Sequence, residues 1–402
     1  MSISQAAIPI SSNLRPGRIV SLDVFRGIVI GAMILVTDPG TYNYVYSQLR
    51  HADWMGVTAT DIIFPSFLFM VGVSIPFSFA SRMGRGASRA SLALHALQRS
   101  AVLILLGLAV NGFPDYNWHT LRIPGILQRI ALCYLCSSLL YLLGTQAGPK
   151  AETARSSARV VLISSVALSA LALYWAMLKL VPVPGIGAGH LDSFGNLPAY
   201  IDRSVFGVNH LWAWGLTPGR GVTYDPEGIL STLPAMFSTL IGILAGEWSV
   251  THRREWVKAA GLALMGVLLI LAGWWLSPLL PLNKRIWTST FALFSTGVSL
   301  LAFAVVYFVV DVWRCRRGIT PALILGTNAI LAFVVSSVIT SLLSLHFVWH
   351  GMSETPHEWL NDRLFVSWLP VYPASLGYAI VIVLLNILLI YPLYRKRIFV
   401  RI

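Results

Sequence analysis

The sequence predicts an all-α polytopic membrane protein with about ten transmembrane helices in one bundle. Of its 402 residues, 56% are hydrophobic and only 11% are charged, whereas soluble domains carry about 25% charged residues. Its apolar stretches approach the ~20 residues that a membrane-spanning helix needs, and they are too long for the strands of a membrane barrel. These observations exclude a soluble enzyme, a secreted disulfide scaffold and a disordered chain.

Ten apolar runs predict ten helices, because lipid tolerates only helices and closed barrels, whose backbones are internally hydrogen-bonded. The runs are 19–37, 61–80, 98–113, 124–143, 160–181, 229–246, 257–277, 287–310, 321–345 and 374–394. The third run is short, and the ninth is long enough to tilt or break near Gly326. Residues 1–18 lack the features of a cleaved signal peptide, so the first run is expected to be an uncleaved signal-anchor.

The distribution of basic residues predicts the orientation of the bundle. Most of the 29 Lys and Arg residues lie in loops on the side that an even number of spans gives to both termini. The positive-inside rule therefore predicts cytoplasmic termini. The expected segments are an N-terminal tail over 1–18, a transmembrane domain over 19–395 and a basic tail over 396–402. The net charge of +13 then reflects topology, and no nucleic-acid partner is expected.

The outer loops, by contrast, hold most of the acidic residues and most of the nine histidines, together with many Trp and Tyr residues. Two of these loops are long, 38–60 and about 182–228, and their aromatic content favours an ordered structure. A polar substrate is therefore expected on the outer face. Cys133 and Cys136 lie within an apolar span, where small packing residues are a better interpretation than a metal or redox site, and no metal is expected.

Charged residues inside a span are costly and usually functional. Asp23 and Arg26 lie three residues apart in the first span and share a helix face. They form either an ion pair near the cytoplasmic interface or a site where Arg26 helps to hold an anionic ligand that arrives from the cytoplasm.

Four further polar residues lie in or at the start of spans. Arg129 lies about 9 Å along the helix from its outer end, at 1.5 Å per residue. Together with Gln128 it either lines a central polar cavity or locks the bundle through a carboxylate such as Asp61. Asp61 itself either stabilises a helix N-terminus or orients a catalytic histidine. Asn328 either has a functional role or forms hydrogen bonds between helices, and the sequence supports both equally.

His51 is the strongest candidate for chemistry. It lies just outside the membrane, with Asp53 and Trp54 after it and the acidic helix start at Asp61 ten residues on. A lone loop histidine is usually only solvated, but an imidazole can also take a proton near neutral pH or carry an acyl group. No nucleotide-binding, zinc-protease or serine-hydrolase motif accompanies it.

Several motifs in order resemble the heparan-α-glucosaminide N-acetyltransferase family over about residues 18–395. They are Ser21–Gly27, His51–Thr58, Asp61–Pro65, Arg122–Arg129, Tyr200–Arg203, His210–Leu211, Tyr224–Leu230, Asn283–Thr288 and Gly326–Ala329. The resemblance implies that acetyl moves from cytosolic acetyl-CoA to the amino group of a glucosamine-type sugar on the other side of the membrane. It also implies a homodimer and, among bacterial relatives, a location in the inner membrane.

The resemblance places His51 where the family has its catalytic histidine, and Asp61 or Asp53 would fix the tautomer of the imidazole. Five polar residues of the spans are expected to bind acetyl-CoA: Asp23, Arg26, Gln128, Arg129 and Asn328. Five outer-loop residues are expected to bind the acceptor: Asp53, Trp54, His210, Asp225 and Glu227. The alternatives are a sugar or lipid permease and an O-acyltransferase of a surface glycan.

Overall fold

The computed structural model describes residues 19–144, 152–345, 347–349 and 352–400. Within these residues, nine helices are long and apolar enough to cross a membrane, and a sharply bent pair of shorter helices brings the number to ten if the pair is one span. The predicted all-α polytopic fold is therefore confirmed. The predicted tail over 1–18 and the last two residues of the predicted basic tail lie outside the described residues.

The described residues contain thirteen α-helices. They are α1 Val20–Thr37, α2 Ala59–Met83, α3 Arg89–Gly112, α4 Ile126–Leu143, α5 Glu152–Leu180, α6 Leu197–Phe206, α7 Thr232–Val250, α8 Glu255–Trp275, α9 Ser289–Tyr307, α10 Thr320–Thr327, α11 Ala329–Leu343, α12 Pro356–Asn361 and α13 Val371–Arg395. Single π-helical turns, Phe308–Val312 and Asp362–Val366, extend α9 and α12.

Two predicted boundaries differ from the structure for identifiable reasons. The third span was expected to begin at 98, but α3 begins at Arg89, because the Ser88 hydroxyl accepts a hydrogen bond from Ser91 N at 3.2 Å and caps the helix there. The eighth span was expected to begin at 287, but Trp287 has a φ of +51° and cannot start a helix. Instead, the Thr288 hydroxyl accepts from Phe291 N and caps α9.

The predicted break in the ninth span is confirmed. Helices α10 and α11 meet at an angle of 88°, and Asn328 stands between them with non-helical dihedral angles. Its side-chain amide donates to Ile398 O at 3.2 Å and accepts from Val400 N at 2.8 Å. The segment after α13 therefore satisfies polar groups at the break, which a broken helix in a membrane requires.

Glycines let the helices approach closely, as is common in membrane bundles. A Cβ atom on Gly27 of α1 would lie 1.7 Å from Ala322 O of α10, and one on Gly326 would lie 1.9 Å from Asp23 O. Helices α2 and α7 meet in the same way at Gly72 and Gly242. These contacts fix α1, α2, α7 and α10 at backbone-to-backbone distance.

The two long outer loops are built from short elements, as their aromatic content predicted. The first contains 3₁₀ turns at Tyr42–Tyr44 and Ser47–Leu49. The second contains α6 and the antiparallel pair β1 Leu216–Thr217 and β2 Gly221–Val222. A second small hairpin, β3 Phe347–Trp349 with β4 Met352–Glu354, precedes α12.

We expect Gly27→Ala to destabilise the protein by about 1–3 kcal/mol, because the added methyl must push α1 away from the α10 backbone. Gly31→Ala on the same helix is the matched control, since its Cβ would meet only Leu325 Cδ1 at 3.5 Å. The measurement is thermal unfolding in detergent. Equal melting temperatures for the two variants would contradict the close contact.

Candidate active site

The start of α2 positions a histidine and a carboxylate together. Thr58 and Asp61 form a capping box, in which the Asp61 carboxylate accepts from Thr58 N at 2.9 Å. The same oxygen accepts from Ala52 N at 3.2 Å. The other oxygen, Oδ1, accepts from His51 Nδ1 at 2.6 Å. The local cap of α2 therefore also fixes the loop that carries His51.

The Asp61 contact determines which nitrogen of His51 is reactive. A buried carboxylate accepts the Nδ1 proton, so Nε2 carries the lone pair. Burial and the nearby Lys284 ammonium lower the pKa of His51 to about 4, and Asp61 only partly opposes them. The imidazole is therefore neutral at neutral pH, as a base or a nucleophile must be.

His51 lies at one end of a cavity of about 1010 Å³. Helix α2 contributes lining residues along its whole length, from Thr60 in its first turn to Arg82 in its last. Its 25 residues correspond to about 37 Å at 1.5 Å per residue, which exceeds the ~30 Å hydrocarbon thickness of a bilayer. The cavity therefore reaches from the His51 side of the bundle to the opposite side.

The two ends of this cavity differ in character from its middle. The end away from His51 is basic and is lined by Arg82, Arg85, His95, Arg99 and Arg397. Large apolar side chains line the middle: Phe67, Met70, Leu103, Ile130 and Phe333. A long molecule with an anionic end and a thin, largely uncharged arm fits this distribution of basic and apolar lining residues.

Asp23 and Arg26 both line the cavity. Arg26 donates to Asp23 Oδ1 at 3.2 Å and to Ser74 Oγ at 2.9 Å. The ion pair predicted between them is present, and it holds the guanidinium beside the cavity. Asn328 does not line the cavity, but the segment that it holds contributes Arg397, Phe399 and Val400 to the lining.

Gln128 and Arg129 lie outside the cavity lining, so the structure does not support their predicted place in a polar cavity. Nor does Arg129 pair with Asp61, whose oxygens are used by its own loop. It donates instead to Gly228 O at 3.0 Å and to Ser231 Oγ, and its guanidinium lies 5.0 Å from the Trp287 ring. Arg129 thus anchors the segment that leads into α7, which is the bundle-locking interpretation with a different partner.

Arg122 gathers two of the predicted acidic residues. It makes a bidentate contact with Asp225 at 2.8 and 2.6 Å and reaches Glu227 at 2.5 Å. Asp225 is further used by Trp212 N and Glu227 N, so it stabilises a loop and does not reach the cavity. Glu227 lines the cavity. Lys284 and Arg122 hold its pKa down at about 2, in spite of burial, and it is therefore a carboxylate.

Three predicted acceptor residues lie away from the cavity lining in the described structure. The side chain of Asp53 is 90% exposed and lies 3.7 Å from Arg50. Trp54 donates to Leu191 O at 2.8 Å and packs on Tyr224. His210 lies 2.8 Å from Leu121 O through Nδ1 and joins two outer loops. Asp61, not Asp53, therefore orients His51.

The family model described as heparan-alpha-glucosaminide N-acetyltransferase, catalytic, matches residues 18–280. The chain belongs to this family.

Two curated members of the heparan-α-glucosaminide N-acetyltransferase family align with nearly the whole chain. The human enzyme of that name is 29% identical over 422 positions, which cover 96% of this chain and 60% of the human protein. The mouse enzyme is 28% identical over 437 positions, which cover 98% of this chain and 63% of the mouse protein. The chain therefore spans about three fifths of the length of these relatives.

Sequence reasoning missed several cavity residues of this family member. Lys284 lies in the quoted motif Asn283–Thr288, but its burial beside Glu227 depends on a contact between distant loops. The four arginines at the basic end, Arg82, Arg85, Arg99 and Arg397, indicate topology in the sequence, and only Arg26 was predicted by name as a residue that holds an anionic ligand. These arginines come together at one end of the cavity because the ends of α2, α3 and α13 meet there. Hydropathy does not reveal which helix ends meet.

We expect ¹⁵N NMR of histidine-labelled protein to show a neutral His51 with its proton on Nδ1 between pH 7 and 5. An ordinary imidazole titrates near pH 6.5, whereas His51 should gain its second proton only near pH 4. A His51→Gln sample assigns the signal. A charged His51 at pH 6 would contradict the neutral, Asp61-oriented imidazole.

Proposed function

We propose that the protein is a transmembrane acetyltransferase. It moves acetyl from cytoplasmic acetyl-CoA to the amino group of a glucosamine-type sugar on the outer side of a bacterial inner membrane. The observation that carries the proposal is the cavity that joins an arginine cluster at one end of α2 to the His51–Asp61 pair at the other. Membership of the family supports the reaction type, and the distribution of basic loops supports cytoplasmic termini.

The basic end of the cavity fits the anionic end of coenzyme A. Phosphate groups are recognised by arginine through charge-assisted hydrogen bonds, and Arg82, Arg85, Arg99 and Arg397 line this end. Arg26, already oriented by Asp23 and Ser74, lies along the same cavity. The pantetheine arm would occupy the apolar middle, and the thioester would then lie near His51.

His51 can act in two ways on the bound thioester. As a general base, Nε2 removes a proton from the neutral sugar amine as its nitrogen attacks the carbonyl carbon, and the coenzyme A thiolate then leaves. As a nucleophile, Nε2 first accepts the acetyl group, releases coenzyme A and then passes the acetyl group to the amine. Exchange of labelled coenzyme A into acetyl-CoA without an acceptor occurs only in the second route and distinguishes them.

The acceptor would enter from the side where the outer loops lie. Glu227 lines the cavity together with His51 and Lys284, and its carboxylate suits an acceptor hydroxyl or ammonium group. The exposed Asp53 and the neighbouring Trp54 remain predicted contacts for a larger glycan at the entrance. A homodimer remains a proposal from the family resemblance.

A sugar or lipid permease is the alternative that the bend between α10 and α11 favours, because transporters often bind substrates at broken helices. In this chain, backbone groups of Ile398 and Val400 occupy the amide of Asn328 at the break. The acetyltransferase is therefore the better-supported function.

We expect purified wild-type protein to transfer labelled acetyl from acetyl-CoA to glucosamine, and His51→Ala to lower kcat by about 10²–10⁴-fold, the usual contribution of a positioned acid–base residue. His119→Ala, which alters an exposed outer-loop histidine, is the control. Normal transfer by His51→Ala would contradict the role of His51. Transfer only to a hydroxyl acceptor would indicate the O-acyltransferase, and no binding of acetyl-CoA would favour the permease.

We expect Arg99→Gln to weaken acetyl-CoA binding by about tenfold or more, since a hydrogen bond to a charged group contributes about 1.5–3 kcal/mol. Calorimetry at two salt concentrations should also show a smaller salt dependence for the variant. Arg89→Gln, an exposed residue of the same helix outside the cavity lining, is the matched control. Equal affinities for the two variants would place the phosphates elsewhere.

A further inference from the structure

We propose that Lys284 is a second catalytic residue, whose ammonium group donates a hydrogen bond to the thioester carbonyl oxygen while His51 handles the proton. The inference rests on the acetyl transfer proposed above. It adds the electrostatic stabilisation that such a reaction needs, because charge develops on the carbonyl oxygen as the amine attacks.

The loop that carries Lys284 is joined to the loop that carries His51. Gly56 N donates to Leu282 O at 2.8 Å, and the two segments form a parallel bridge at Gly56 and Asn283. Gly56 has a φ of +104°, a conformation that glycine adopts without strain. Lys284 thus follows directly after a residue that is registered against the His51 loop.

The turn from Asn283 to Thr288 is itself rigid. Thr288 N donates to Asn283 O at 3.0 Å, and Ile286 N donates to Asn283 Oδ1 at 3.1 Å. The Tyr174 hydroxyl donates to Ile286 O from the opposite side. A catalytic donor benefits from this arrangement, because electrostatic stabilisation depends on a group that is fixed before the reaction.

The Lys284 ammonium lies within ion-pair range of Glu227, with 4.0 Å between Nζ and Oε1, but this distance exceeds that of a hydrogen bond. Only 8% of the residue is exposed, yet Lys284 lines the cavity together with His51. Three ammonium protons are available for bonding, and Glu227 already accepts a 2.5 Å hydrogen bond from Arg122. Lys284 therefore lines the cavity with ammonium protons that its ion pair with Glu227 does not use as hydrogen bonds.

Burial lowers the pKa of Lys284, and Glu227 opposes this effect. A more acidic ammonium is a stronger hydrogen-bond donor, while the carboxylate keeps the charged form in place. Lys284 also contributes to the lowered pKa of His51, which agrees with the two groups facing the same part of the cavity. The pair thus combines a neutral base with a neighbouring cation.

In the reaction, the amine nitrogen forms a bond to the carbonyl carbon, and the carbonyl π electrons move to the oxygen. Lys284 donates its hydrogen bond to this oxyanion, and His51 Nε2 takes the proton that the amine loses. When the intermediate collapses, the carbon–sulfur bond breaks. The coenzyme A thiolate receives the proton from His51, and Lys284 remains unchanged.

The test compares Lys284→Met, Lys284→Arg and Lys284→Met/Glu227→Gln with wild type. We expect Lys284→Met to lower kcat by about 10²–10³-fold, as loss of one oxyanion donor does, while KM for acetyl-CoA changes less than about threefold. The pKa of His51 should rise in the same variant. Lys284→Arg should recover part of kcat, and the double variant should recover thermal stability but not kcat.

Lys258→Met is the matched control, because Lys258 is also buried and pairs with a glutamate, Glu255, at 3.0 Å, but lies outside the cavity lining. It should keep the wild-type kcat. If wild type and Lys284→Met are equally active, the role of Lys284 is overturned, while the proposed acetyl transfer stands. Recovery of kcat in the double variant would also overturn the role of Lys284, because Lys284 would then only neutralise Glu227. A wild type that transfers no acetyl to any acceptor overturns the proposed function and this inference together.

Discussion

The carboxylate of Asp61 connects the fold to the chemistry. One of its oxygens completes the capping box of α2 and accepts from the Ala52 amide, and the other accepts from His51. The side chain is 1% exposed, so its charge is balanced by fixed protein donors and not by water. A single buried acid thus starts the longest cavity-lining helix, closes the outer loop against it and selects the tautomer of the imidazole.

Helix α2, which Asp61 caps, lines the cavity along its whole length. Its glycine contact at Gly72 holds it against α7, and its two ends lie beside different groups of side chains. The first turn lies beside His51, Lys284 and Glu227, and the last turn lies in an arginine cluster. The separation between these ends is set by helix length, so any ligand that reaches both must be long and thin.

The sequence predicted the features that depend on local patterns. Apolar runs located the spans, and the break near Gly326 followed from the length of the ninth run. The sequence also allowed Asp61 to orient His51, because the helix start at Asp61 follows the histidine by only ten residues. Helix starts such as those of α3 and α9 were displaced, since Ser88 and Thr288 cap them at positions that hydropathy does not reveal.

The partners of the buried charges were not predictable, because they depend on contacts between distant segments. Arg129 reaches the start of α7 and not Asp61, and Arg122 meets Asp225 across 103 residues of sequence. Asp225 and His210 have side chains of the kind that bind ligands, yet in this fold they form hydrogen bonds that join loops. Lys284 was overlooked because a single lysine in an outer loop resembles a solvated charge until its burial is known.

The apolar middle of the cavity also affects how readily water and ions can enter it. A passage lined from one end of a membrane-spanning helix to the other would conduct ions if water filled it throughout. The side chains of Phe67, Met70, Leu103, Ile130 and Phe333 line its middle section, and apolar walls of this kind offer water and ions few hydrogen bonds. The section that suits a thin apolar ligand therefore also gives water and ions little stabilisation.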